Sequence, residues 1–123
     1  METEHGSGWT VGSIEGLGSG PGFRKIRGAL GVTAFGVNAI VLPPGYKSNA
    51  HRHERQEELY IVMSGEIEFE FGDGERRVLG PGGLARVDPA TVRSARNTSG
   101  DGEAVYVCVG GADGYVGRDG VVP

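Results

Sequence analysis

Two of the three histidines in the chain lie two positions apart, and a glutamate follows five positions later: His51, His53 and Glu58. Alternate residues of a β-strand point to the same side, so both imidazoles can converge on one point. If the next strand begins at Glu58, its carboxylate can reach that point too. Two imidazoles and one carboxylate form a ligand set that suits Fe(II) and also Mn, Ni or Zn. The competing interpretation is a pair of exposed loop histidines in a charged stretch.

The segments around this cluster show the alternation of short β-strands. In Glu66–Phe71, for example, Ile67, Phe69 and Phe71 share one face and the glutamates share the other. The 24 glycines favour turns between short strands over helices. Roughly eight strands and no helix are therefore expected, as in an all-β sandwich or barrel. The predicted strands include 32–42, 58–63, 66–71, 76–79, 84–87, 92–96 and 104–109.

A wider pattern surrounds the three candidate ligands. Two glycines flank them at fixed spacings, in the order Gly45-x5-His51-x-His53-x4-Glu58-x6-Gly65. This pattern resembles the first motif of the cupin superfamily, and the resemblance covers roughly 38–109. It implies a small single-domain cupin, an all-β double-stranded β-helix or jelly-roll barrel in which His51, His53 and Glu58 are metal ligands. The strand pattern points independently to the same architecture.

The second motif of this family is only partly present. Its leading glycine and final asparagine correspond to Gly82 and Asn97, but Arg93 stands where the resemblance implies a fourth ligand, a histidine. Arginine stays protonated and offers no lone pair to a metal. A guanidinium about 5 Å from a divalent cation is repelled by roughly 6–7 kcal/mol at an effective dielectric constant near 20. Arg93 therefore either pairs with Glu58 in place of a metal, or carries its charge away from the metal towards a substrate carboxylate.

The composition limits the classes of partner. The net charge is −4, and no basic cluster is present that could neutralise nucleic-acid phosphates. No apolar run approaches the roughly 20 residues of a membrane span. The single cysteine, Cys108, fits a reducing compartment. We therefore expect a cytoplasmic protein with neither nucleic acid nor membrane as a partner.

The chain divides into three parts by composition. Residues 1–22 are polar and rich in Gly and Ser and are expected to form a flexible N-terminal arm; residues 23–112 are expected to form the barrel and 113–123 a C-terminal tail.

Leu59–Met63 contains no charged residue and is almost wholly apolar. This run predicts a strand buried on both faces. In so short a chain, the layer that covers the second face would come from the other subunit of a homodimer.

Two functions are compatible with these residues. The first is a metal-dependent enzyme of the oxygenase or isomerase type, in which the metal polarises a substrate oxygen or binds O₂. Arg93 would then orient an anionic group of an acidic substrate, and Tyr60, which shares the strand face of Glu58, would line the same cavity. The alternative is a non-catalytic barrel that binds or senses a metabolite, whose Arg93–Glu58 pair recognises an acidic ligand without a metal.

Overall fold

The computed structural model describes all 123 residues. It contains twelve strands, one short α-helix and a single 3₁₀ turn at Glu15–Leu17. In chain order the elements are β1 Glu4–Gly6, β2 Trp9–Val11, β3 Gly22–Arg24, α1 Ile26–Leu30, β4 Gly36–Leu42, β5 Arg52–His53, β6 Glu57–Ser64, β7 Ile67–Phe71, β8 Glu75–Leu79, β9 Leu84–Val87, β10 Arg93–Asn97, β11 Ala104–Gly111 and β12 Gly120–Val121.

Two antiparallel sheets enclose the core. The larger has the strand order β3-β4-β11-β6-β9 and the smaller the order β10-β7-β8. Both sheets contribute to one buried cluster, in which Tyr60 and Tyr106 of the larger sheet pack around Phe69 of the smaller. The Tyr60 and Phe69 rings stack at 5.3 Å, and Tyr106 meets Phe69 edge-on at 5.6 Å. The predicted all-β barrel is confirmed.

The structure has one helix that the sequence pattern did not predict. α1 spans five residues and contacts β4. It ends at Gly31, whose φ of +73° lies in the left-handed region that glycine adopts without strain. A single turn is too short to show helical periodicity in a sequence. The predicted strand 32–42 begins only at Gly36, because residues 31–35 form a turn and a bend after the helix.

In the single chain only the inward face of β6 is buried, so the predicted cover on its second face stays a prediction. Glu58, Tyr60 and Val62 point into the barrel and are buried. Leu59 and Met63 point outward and are 37% and 51% exposed. An apolar run that lacks polar alternation does not by itself report a second covering layer, because outward apolar side chains on a sheet can also face solvent.

Both terminal segments contain strands. Residues 1–22 include a β1–β2 hairpin, in which Gly6 pairs with Trp9. In the C-terminal segment, β12 pairs with β5, so that Gly120 lies opposite His53. No helix of the structure has the length and apolar character needed to cross a bilayer.

Asn97 at the end of β10 ties three chain segments together. Its side chain is 2% exposed, and its amide nitrogen donates to the carbonyl oxygens of Leu42, Pro43 and Gly102. Its Oδ1 accepts from the backbone N–H of Ser99. Because these groups are buried, loss of the amide leaves several of them without a partner.

We expect Asn97→Ala to lower the free energy of unfolding by about 2–4 kcal/mol, since it leaves buried polar groups without a hydrogen-bond partner and creates a void. Urea denaturation followed by circular dichroism measures this loss. Asn49→Ala is the matched control, because Asn49 is exposed and its side chain makes no hydrogen bond; we expect a change of at most about 0.5 kcal/mol there. Equal stabilities for the two variants would contradict this role for Asn97.

Candidate metal and ligand site

Three strands of the barrel bring the candidate ligands together. His53 ends β5, and Glu58 lies at the start of β6 with its side chain directed inward. His51 forms an antiparallel bridge to Arg93 of β10, with N–O distances of 3.0 and 2.8 Å. The donor atoms of His51, His53 and Glu58 all lie within 4.8 Å of one another. His53 and Glu58 are buried and His51 is half-buried, which argues against exposed loop histidines.

Both imidazoles are held through Nδ1. The Nδ1 of His53 lies 2.7 Å from Oδ1 of Asp119, and that of His51 lies 3.3 Å from the carbonyl oxygen of Asn49. The Nε2 of His53 is buried and has no hydrogen-bond partner; it lies 3.4 Å from Oε1 of Glu58. Burial lowers the pKa of His51, which favours the neutral imidazole that a metal requires.

The carboxylate of Glu58 is surrounded by proton donors. The hydroxyl of Tyr60 donates to Oε1 at 2.7 Å, and the thiol of Cys108 donates to Oε2 at 3.1 Å. Burial, reinforced by the nearby negative charge of Glu58, raises the pKa of both Tyr60 and Cys108, so both keep their protons. Each carboxylate oxygen has two lone pairs, so one on each remains available after these hydrogen bonds.

Arg93 lies behind Glu58. Its side chain is 1% exposed, and its Nη2 lies 3.8 Å from Oε1 of Glu58. The guanidinium also donates to the carbonyl oxygens of Asp88 and Pro89, at 3.2 and 3.3 Å. Of the two arrangements left open by the sequence, the structure shows the contact with Glu58, as an ion pair too long for a hydrogen bond. The assignment of Arg93 to substrate binding stays a prediction.

The three candidate ligands line a cavity of about 640 Å³, a size typical of small-molecule sites. Tyr60 also lines it, as the shared strand face predicted, although its hydroxyl is engaged by Glu58. Arg93 does not line the cavity. The wall includes three exposed aromatic residues from separate segments: Phe23, Tyr46 and Tyr115.

The C-terminal segment adds two residues that sequence reasoning missed. Arg118 lines the cavity, and Asp119 holds His53. Burial alone would raise the pKa of Asp119, but hydrogen bonds from Gln56, from the Arg55 N–H and from His53 hold it well below its usual range. Neither residue belongs to a recognisable motif. The only signal in the sequence is a pair of adjacent charged residues in a glycine-rich segment.

The donor set fits a divalent cation. Metal–ligand bonds of about 2.0–2.2 Å place the donor atoms of one metal roughly 3–4 Å apart. The 3.4 Å between Nε2 of His53 and Oε1 of Glu58 falls in this range, while the limit of 4.8 Å for the whole set is somewhat wider. A buried nitrogen without a partner is rare in folded proteins and is explained by a ligand, an ordered water or local strain. The Nε2 of His53 is such an atom, as are the Nε atoms of Arg24 and Arg93, and of the three only Nε2 of His53 belongs to the candidate donor set.

The sequence profile of the cupin domain matches residues 38–110, which is more than half of the chain. The chain belongs to the cupin family. No match is found among curated proteins. This cupin is similar over most of its length to a solved cupin protein from Bacteroides fragilis, with 26% identity, 94% of this chain and 98% of the other covered, and a TM-score of 0.70.

Two further solved structures share 28% identity with this cupin and cover 72% of it. One is a conserved protein with a double-stranded β-helix domain from Klebsiella pneumoniae, with a TM-score of 0.63 and 74% of that chain covered. The other is a sugar phosphate isomerase of the cupin superfamily from Silicibacter pomeroyi, with a TM-score of 0.65. This cupin spans 57% of the length of that isomerase.

Proposed function

We propose that this cupin holds a divalent metal through His51, His53 and Glu58 and binds a small anionic molecule beside it. The observation that carries the proposal is the convergence of three donor atoms on a cavity wall, with the buried Nε2 of His53 left unpartnered. When bound, the metal would supply a Lewis acid that polarises a substrate oxygen. Fe, Mn, Ni and Zn all suit this ligand set.

The surrounding residues would prepare the site for such a ligand. Tyr60 and Cys108 fix the orientation of the Glu58 carboxylate through their hydrogen bonds. The apolar and aromatic wall of the cavity would exclude water and strengthen electrostatic contacts inside it. An oxygenase-type or isomerase-type reaction is compatible with this arrangement. The similarity to a sugar phosphate isomerase, whose substrates are anionic, supports the second type and an acidic substrate.

The positive group available to an anionic ligand is Arg118. It lines the cavity, and no carboxylate lies within 4.0 Å of its guanidinium. Arg93, in contrast, is buried against Glu58 and two carbonyl oxygens. An unpaired arginine can bind a carboxylate or phosphate in a bidentate manner. Arg118 therefore fits the role that the sequence pattern had suggested for Arg93.

A second candidate function is a metal-free binding or sensing barrel. The observation that favours it is the Arg93–Glu58 ion pair, in which the guanidinium already balances the charge of the buried carboxylate without a metal ion. In this case the imidazoles of His51 and His53 would bind the ligand directly by hydrogen bonds. The metal content of the protein separates the two candidates.

We also propose that the cupin is a homodimer that buries the outer face of its larger sheet. Register places Leu59 and Ile61 beside Val109, Val107 and Leu84 on this face, and all five are apolar. Leu84 is 64% exposed in the single chain. The same face carries Arg86 opposite Leu59, ion-paired with the exposed Glu57, so the apolar patch has a charged edge, as the polar rim of a subunit interface does. The proposed cytoplasmic location rests on the lone free thiol of Cys108.

The first of three predictions from the proposed function concerns the metal. We expect protein purified without chelators or a nickel column to contain about one divalent metal per chain, and His51→Ala to lower its affinity at least 100-fold because one of three ligands is lost. Elemental analysis and calorimetric titration measure both. His5→Ala is the matched control, since His5 lies in the exposed hairpin strand β1. Wild-type protein that neither contains nor takes up a metal would exclude the metal-dependent function and favour the second candidate.

The second prediction concerns the anion. We expect Arg118→Gln to weaken the binding of inorganic phosphate or oxalate to the metal-loaded protein at least 10-fold, because the charge partner is removed, while metal affinity stays within twofold. Calorimetry measures each probe. Arg96→Gln is the control, because Arg96 is exposed on β10 and does not line the cavity. Equal binding by both variants would show that Arg118 does not recognise the anion.

The third prediction concerns assembly. We expect light scattering at micromolar concentration to give the mass of a dimer, and Leu84→Lys to give that of a monomer because it places a charge in the apolar face. Val78→Lys is the control, since Val78 is 52% exposed on β8 of the smaller sheet. A wild-type protein that stays monomeric would contradict the proposed interface.

A further inference from the structure

The C-terminal segment reaches the site by a specific route. β12 pairs with β5, so Gly120 lies opposite His53 and Val121 opposite Arg52. This pairing places Asp119 against the imidazole of His53, 66 positions earlier in the chain. The side chain of Asp119 is 10% exposed. The contact is therefore a defined feature of the folded chain.

Both carboxylate oxygens of Asp119 accept hydrogen bonds. Oδ2 accepts from the backbone N–H groups of Arg55 and Gln56, at 2.8 and 3.0 Å. Oδ1 accepts from the side-chain amide of Gln56 at 2.6 Å and lies 2.7 Å from Nδ1 of His53. A carboxylate held by three N–H donors acts as an acceptor, so the proton between Oδ1 and Nδ1 belongs to the imidazole.

We propose that Asp119 is a positioning residue of the metal site: it keeps the proton of His53 on Nδ1 and so reserves Nε2 as the ligand atom. This inference deepens the proposed metal function and rests on it for its consequence, though not for the hydrogen bond itself. Metal-binding histidines commonly donate their other ring N–H to a carboxylate, which fixes the tautomer and the ring orientation. The C-terminal segment would then be part of the site.

A purely structural role is the alternative explanation. Asp119 also caps the turn at Arg55 and Gln56, and this would stabilise the barrel whether or not a metal binds. The amide nitrogen of Gln56 donates one N–H to Oδ1 of Asp119 and lies 3.2 Å from Nδ1 of His53. Its second N–H could donate to Nδ1 only if that nitrogen carried no proton, which is the opposite tautomer. A test must therefore read the state of the imidazole and the metal affinity, in addition to stability.

The first measurement is the tautomer of His53 in metal-free protein, read from two-bond ¹H–¹⁵N correlation spectra at a pH where the ring is neutral. The wild type is expected to carry its proton on Nδ1, and Asp119→Ala is expected to shift the population to the Nε2–H form. An Nε2–H tautomer in the wild type would overturn the proposal. Because this reading needs no variant, it can overturn the proposal even if Asp119→Ala fails to fold.

The second measurement is affinity for Zn²⁺ and Mn²⁺ by calorimetry. Asp119→Ala is expected to lose about 10–100-fold, and Asp119→Asn, which keeps an acceptor oxygen without the charge, a smaller part of it. Asp113→Asn is the matched control, because Asp113 is an exposed carboxylate of the same segment, and it should bind as the wild type does. Folded Asp119→Ala protein with wild-type affinity would show that the contact is only structural.

The two measurements separate this inference from the proposed function. Wild-type protein that binds no metal would refute the metal-dependent function, while the Nδ1–H tautomer and its loss in Asp119→Ala would still establish that Asp119 controls the imidazole. Wild-type protein that binds metal through an Asp119-independent His53 would leave the function standing and overturn the role of Asp119.

Discussion

The buried negative charge of Glu58 is the constraint on which the rest of the site depends. A carboxylate removed from water is costly unless charges and hydrogen-bond donors replace its hydration. Here a hydroxyl from the same strand, a thiol from β11 and a guanidinium from β10 surround it. Two are hydrogen-bond donors from the larger sheet and the third is an ion-pair partner from the smaller sheet, so the two sheets must pack correctly before the charge is balanced. The same side chain thus links the interior of the barrel to the wall of its cavity.

The guanidinium of Arg93 distinguishes this centre from one with four ligands. At 3.8 Å from the carboxylate, its attraction to Glu58 amounts to about 4 kcal/mol at an effective dielectric constant of 20. A divalent cation at the same carboxylate would be attracted by Glu58 and repelled by Arg93. The protein groups around the cation therefore carry a more positive net charge than in a site whose fourth ligand is a neutral histidine. If a metal binds to these ligands, the arginine at position 93 would weaken its binding and would strengthen the attraction of an anionic ligand.

The parts of this site that lie close in sequence were predictable, and those that depend on distant pairing were not. The side chains of His51 and His53 were expected on the same side because alternate residues of a strand point the same way, and Glu58 follows His53 by only five positions. The core strands could be predicted for the same reason, as the alternation of apolar and charged residues in Ile67–Phe71 shows. The two-residue strand β12 has no such period, and nothing in the sequence around Asp119 specifies its partner. The exposure of Leu59 in the single chain was not predictable either, because an apolar strand pattern does not report which faces are covered.

The contact between Asp119 and His53 also has a consequence for how the site forms. Closing a loop across 66 positions costs conformational entropy that only the surrounding contacts can offset. Tyr115, stacked beneath the guanidinium of Arg27 at 4.0 Å, supplies one of these contacts and joins the segment to α1. If Asp119 positions His53 as proposed, the orientation of the imidazole would be established only when the C-terminal segment has docked. A ligand held in the cavity would stabilise the docked segment by the same free energy with which that segment stabilises the ligand.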